Sequence, residues 1–179
     1  MNRDDIYLLY DYNDWADRRI LTMCAKISHE QYTAPTTIGT GYGSLRATLV
    51  HIVSAMQLWR MLFTDPPNVY RSEEDHTALE LTEAEFPTLS VLEKRWQEER
   101  DTLRAYLNTL DDGKVKGVLR YTLPNGIVRE RVLWHCLVHL VNHGTQHRSE
   151  AAVLLTGYGQ SPGDIDMTVF LNEHFNLPS

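Results

Sequence analysis

The chain has 179 residues, 42% of them hydrophobic and 23% charged, with a formal net charge of −7. This is the size and composition of one ordinary domain with a full core, expected over residues 1–179. The acidic balance, with no basic run to offset it, excludes nucleic acid as an expected partner. No apolar run approaches the roughly 18 residues of a membrane span, so no membrane partner is expected.

The first stretch, MNRDDIYLLYDYND, is acidic and lacks the layout of a signal peptide. Cys24 and Cys136 both lie in apolar helical patterns and read as buried free thiols. Both features point to a reducing cytoplasm.

Asp4 or Asp5 can cap a first helix running to about Ile27. Its expected stripe is Ile6, Leu9, Asn13, Ala16, Ile20, Met23 and Ile27. Asn13 interrupts that stripe, and Tyr12 and Trp15 flank it. Residues 28–43, rich in Thr, Gly and Pro, read as a loop. Ser44 then caps a second helix to about Phe63, with Leu45, Leu49, Ile52, Met56, Trp59 and Phe63 inward and His51 at the stripe's edge. Asp65-Pro66-Pro67 ends it.

A polar connection follows over residues 64–87, with six acidic residues between Glu73 and Glu85. It reads as a solvated loop and, being long, as part of a pocket rim. A third helix begins at Thr88 or Ser90 and runs to about Leu110, with Leu92, Trp96, Leu103, Tyr106 and Leu110 inward. Asp111-Asp112-Gly113 stops it. Val118–Leu123 and Ile127–Glu130 flank Pro124-Asn125-Gly126, a strong hairpin signal. Such a hairpin is marginal alone and must pack on the helices.

The fourth helix, about Arg131 to Leu155, carries His135, His139, His143 and His147, each four residues after the last. Its end is marked by Gly157–Gly163, and a short helix over about Asp164–His174 closes the chain. The expected architecture is all-α: a four-helix up-down-up-down bundle, a β-hairpin before helix four and a short C-terminal helix.

The four histidines are not equivalent. At about 100° per residue, with Leu140 at zero, His147 falls at about −20° and His143 at about −60°. Both point with Leu133, Cys136, Leu137, Ala151, Leu154 and Leu155 toward the core, while His139 sits at the boundary and His135 faces outward. An inward i,i+4 pair is either hydrogen-bonded in the core or ligates a metal. The second helix offers His51, and three neutral imidazoles would leave open positions, the form of a catalytic site. The segment His143-Gly-Thr-Gln-His147 lacks the glutamate that a zinc protease uses as general base, which excludes that reaction. Trp15, Trp59 and Tyr42 are candidates to line a pocket, although aromatics at these spacings also serve as core.

Tyr10-x-x-Asn13-x-Trp15-Ala16, Leu49-Val50-His51-Ile52, a hairpin centred on Gly126, and Leu137-Val-His139-Leu-Val-Asn142-His143-Gly-Thr-Gln-His147-Arg148 together resemble the DinB/YfiT-like superfamily of four-helix bundles. The resemblance implies a divalent metal, nickel or zinc, bound by His51, His143 and His147. It also implies a homodimer and a thiol S-transferase or related activity on a small electrophile, with a low-molecular-weight thiol as cosubstrate. The family commonly continues His-Arg-Gly-Gln, whereas this chain has His147-Arg148-Ser149-Glu150. Glu150 is thus a candidate to orient a ligand or act as a base, or else a surface residue. The leading expectation is a metal-dependent transferase or hydrolase. The rivals are a non-enzymatic, metal-binding stress-response bundle and a metal-free bundle with hydrogen-bonded histidines.

Overall fold

The structure is a computed structural model that describes residues 1–38, 42–65, 69 and 72–177, the side chain of residue 73 excepted. Helix α1 spans Arg3–Cys24, α2 His29–Thr33, α3 Leu45–Thr64, α4 Glu73–Leu79, α5 Leu89–Leu107 and α6 Asp112–Lys116. Strands β1 (Val118–Thr122) and β2 (Val128–Val132) precede α7 (Leu133–Gly157) and α8 (Met167–His174). The four long helices expected from the periodicity are α1, α3, α5 and α7, with the hairpin before the last of them and a short helix at the end.

Helix α7 packs on α1 and on α3, and α5 packs on α3 and on α1. The helices therefore close a ring in the order α1, α7, α3, α5. The core inside it includes Ile6, Ala16 and Ile20 from α1, Leu49 and Val53 from α3, Leu92, Trp96 and Leu107 from α5, and Leu137 and Leu155 from α7. Burying each large apolar side chain contributes roughly 1.5–3 kcal/mol.

Helix α1 starts earlier than expected. Asn2, not Asp4 or Asp5, is its N-cap: the Asn2 side chain accepts from Asp5 N and the Asp5 carboxylate accepts from Asn2 N. Its stripe is also shifted. Tyr10, Asp17 and Cys24 are buried where Leu9 and Met23 are only half-buried. A carboxylate takes a core position here because a buried arginine pairs with it, as described below.

The expected loop at 28–43 contains the one-turn helix α2, whose capping box joins Ser28 and Gln31. Ser44 caps α3 as expected, its hydroxyl accepting from Ala47 N across 2.9 Å. Pro66-Pro67, expected to end this helix, lies outside the described residues, as do residues 39–41 of the preceding loop.

Over its described residues 72–87, the connection expected as a solvated loop carries regular structure. It holds α4 and a 3₁₀ turn at Glu83–Glu85. It lies along α3: Gln57 Nε2 donates to Leu79 O, Leu81 N donates to Ser54 Oγ, and Arg46 Nε donates to Glu83. Gly113 does not stop a helix. The turn after α5 runs over 108–110, and Asp111 caps a further short helix, α6, in which Gly113 sits.

The hairpin pairs Val118 with Val132 and Thr122 with Val128. Its turn holds Gly126 at φ +81°, a conformation L side chains rarely adopt. Leu119 and Tyr121 are buried, and the Tyr121 ring meets Trp59 of α3 at 5.7 Å, which supplies the packing an isolated hairpin lacks. Among the described residues, no helix is long and apolar enough to cross a membrane.

Candidate metal centre

Three of the four contacts around the helix ring carry buried or half-buried ion pairs. Between α1 and α7, Arg148 Nη1 donates to Asp17 Oδ1 at 2.8 Å and to Asn13 Oδ1 at 2.6 Å, and Asn13 Nδ2 donates back to Asp17. Between α3 and α5, Arg60 Nε donates to Glu99 Oε2 at 2.6 Å, and Glu99 also pairs with Arg95. Between α5 and α1, Arg104 pairs with Asp11 and Asp14. Among the described residues the α3–α7 contact has no such pair. It has histidines instead.

His51 projects from α3, and His143 and His147 from successive turns of α7. One potential ligand atom from each lies within 4.8 Å of the other two. His147 is 3% exposed and the other two are half-buried. The Nε2 atoms of His51 and His143 are 3.0 Å apart. The rings of all three are in mutual contact, with centroids 4.5–4.9 Å apart.

The rotation of about 100° per residue placed His143 and His147 inward, and the helix does the same. His139 is exposed and rests against Trp59 at 5.0 Å, and His135 is exposed beside Trp134. Neither joins the cluster.

The ring nitrogens are prepared differently. Glu150 Oε2 lies 2.9 Å from Nδ1 of His147. An ionised carboxylate only accepts, so in the neutral ring of His147 the proton sits on Nδ1 and the lone pair on Nε2. Nδ1 of His143 is buried with no hydrogen-bond partner among the described residues. Burial, then the neighbouring His147, pushes the pKa of His51 down to about 4. His143 is likewise pushed down to about 4 by burial, then by His147 and His51. Both rings are therefore neutral at pH 7, the form that ligates metal.

The donor set fits a divalent transition metal. Nitrogen ligands bind zinc at about 2.0–2.1 Å, which places adjacent donors about 2.8–3.4 Å apart in tetrahedral or octahedral geometry. The 3.0 Å between His51 Nε2 and His143 Nε2 lies in that range. Three imidazoles suit zinc, nickel or copper better than magnesium or calcium.

Of the three aromatic candidates, only Tyr42 reaches the cluster. Its ring stacks on His51 at 4.1 Å. Trp15 packs instead on Tyr12 and Phe170 and donates to Glu173, while Trp59 packs on Phe63, Tyr121 and His139. The connection at 64–87 was expected to rim the pocket; among its described residues, the hydrogen bonds to α3 reach Arg46, Ser54 and Gln57.

The largest omission of the sequence reading is Arg148. It is fully buried next to His147, yet it points to α1 where His147 points to α3. Gly144 makes room for it. A Cβ there would meet Arg148 Nη1 at 2.7 Å and Asn13 Oδ1 at 3.1 Å. The signal available in sequence was Asn13 followed four residues later by Asp17 on one helix face.

The DinB family model matches residues 1–174. The protein named Protein DinB from Bacillus subtilis (strain 168) is 26% identical over 178 residues, which is 95% of this chain and 96% of that protein. With nearly the whole chain matched and a histidine cluster able to hold a metal ion at the α3–α7 contact, the chain belongs to the DinB family.

Proposed function

We propose that His51, His143 and His147 bind one divalent metal ion, nickel or zinc, and that the protein is a metal-dependent thiol S-transferase or hydrolase. Its substrate would be a small electrophilic molecule, with a low-molecular-weight thiol as cosubstrate in the transferase case. The observation that carries this reading is the convergence of three imidazole donors from two helices within 4.8 Å. Three protein ligands leave a position for a reactant, as in catalytic rather than structural sites. A divalent ion held there lowers the pKa of a water or thiol bound to it.

The protein's own part is to present lone pairs. Glu150 keeps the proton of His147 on Nδ1, which supports an orienting role for it over that of a general base. Burial keeps His51 and His143 unprotonated. Arg148, held by Asp17 and Asn13, fixes the rotation of α7 and so the direction of His147. The family resemblance supports a homodimer, and the free buried Cys24 and Cys136 support a cytoplasmic location.

A second reading has an observation of its own. The α3–α7 contact is the one in the ring without an ion pair among the described residues, and a metal there would tie the two helices without catalysis.

The deciding experiment has two arms. Metal content of the purified protein should approach one nickel or zinc per chain and vanish in His147→Ala. Turnover of epoxide and alkyl-halide electrophiles with added thiol should then depend on that metal. Stoichiometric binding without metal-dependent turnover favours the tie, and no binding removes both readings.

A further inference from the structure

The geometry points to the Tyr42 hydroxyl as a fourth protein ligand of the ion held by the histidines, and as the one that leaves to admit a reactant. This rests on the metal reading above. Tyr42 Oη lies 2.9 Å from Nε2 of His51, the same nitrogen that faces His143 Nε2 at 3.0 Å. Both separations match the spacing of neighbouring donors around a single ion with bonds of about 2.0–2.1 Å. The Tyr42 ring lies flat on His51, with 22° between planes, and meets His147 edge-on at 5.3 Å. Its oxygen is thus held beside the cluster by contacts to two of the three histidines.

The chemistry suits the position. Three imidazoles bring no charge to a divalent ion. A phenolate oxygen brings one negative charge and is a known metal donor. On binding, the O–H bond breaks, its proton passes to solvent and the oxygen lone pair forms the bond to the ion.

The support is unequal among the four. The histidines stand on long helices, whereas Tyr42 sits in the irregular segment before the Ser44 cap. It is 37% exposed and is followed by Gly43 at φ +90°. The cavity that His143 lines together with Tyr10, Asn13, Ile52 and Leu140 has only about 20 Å³, room for about one water. That cavity is too small for a reactant, which therefore reaches the ion by taking the place of Tyr42.

The test uses the full-length chain and Tyr42→Phe, which keeps the stack and removes the oxygen. With copper(II) as probe, the wild type should show a phenolate-to-copper absorption band that Tyr42→Phe lacks. Zinc affinity by competition titration should fall about tenfold or more in Tyr42→Phe. In the cobalt(II)-loaded proteins, 2-mercaptoethanol should bind more tightly to Tyr42→Phe than to wild type, because it no longer displaces a ligand. Metal binding that needs His147 but gives no band and unchanged zinc affinity overturns the role of Tyr42 and leaves the three-histidine centre standing. Equal thiol affinity in the two proteins overturns the exchange. Failure of the wild type to bind any of these metals overturns both readings.

Discussion

Arg148 Nη1 donates to Asp17 Oδ1 across 2.8 Å, and both side chains are almost completely removed from solvent. Burial pushes the Asp17 carboxyl pKa up, and the Arg148 guanidinium opposes it. Removing one partner leaves the other charge buried and unpaired, which costs about 3–5 kcal/mol. Arg148→Met and Asp17→Leu should each lower stability by about that amount in urea unfolding. The double variant should lose much less than the sum, because no lone charge then remains.

Gly144 is required by the close approach of α1 and α7. A methyl group at this position meets Arg148 Nη1 at 2.7 Å, and that guanidinium is pinned by Asn13 and Asp17. Gly144→Ala should therefore destabilise by about 1–3 kcal/mol, although alanine is the better helix former. A midpoint shift at unchanged m-value in urea is the expected readout.

The metal-free protein should lose stability as the medium is acidified through a defined window. His51 and His143 are held at about 4 in the fold, and an unfolded imidazole titrates at about 6.5. Between those values the unfolded chain binds more protons, so stability rises with pH there and falls as pH drops from about 6.5 toward about 4. Urea midpoints across that range, wild type against the double variant His51→Asn/His143→Asn, check it. The slope should flatten in the variant.

Glu150 acts on His147 through Nδ1. Glu150→Ala should weaken zinc binding by about ten- to a hundred-fold with little change in fold, the usual loss when a ligand's outer partner is removed. Glu150→Gln, which keeps an acceptor, should lose less. Competition titration with a chromophoric chelator separates the two.

Metal should also raise the melting point. An ion that binds only the folded state stabilises by about 2.7 kcal/mol at a hundred times its dissociation constant. A chelator should reverse the shift in wild type and have no effect in His147→Ala, as read by a thermal melt.

The long helices and the hairpin were legible because their signals are local. Ser44 before an apolar period, Asn125-Gly126 between β-forming runs, and the roughly seven proline-free turns of α7 each declare themselves through local spacing. The inward turn of His143 and His147 was legible for the same reason. Asp17 was not, because one carboxylate on an apolar stripe reads as exposed until its partner is known, and Arg148 lies 131 residues away. Helices α2, α4 and α6 span 5, 7 and 5 residues, too short for a period to show. The destinations of Trp15 and Trp59 depend on which helices become neighbours, which periodicity does not state.

The six residues from His143 to Arg148 serve two neighbours at once. His143 and His147 face α3, while Gly144 and Arg148 face α1, and Thr145 accepts from Arg148 and donates to Val141 O. Only Gln146 is exposed. A change at any of the other five disturbs a contact on one side or the other, so the segment has almost no room to drift. Anyone grafting the histidine pair onto another bundle would have to carry its glycine and arginine along.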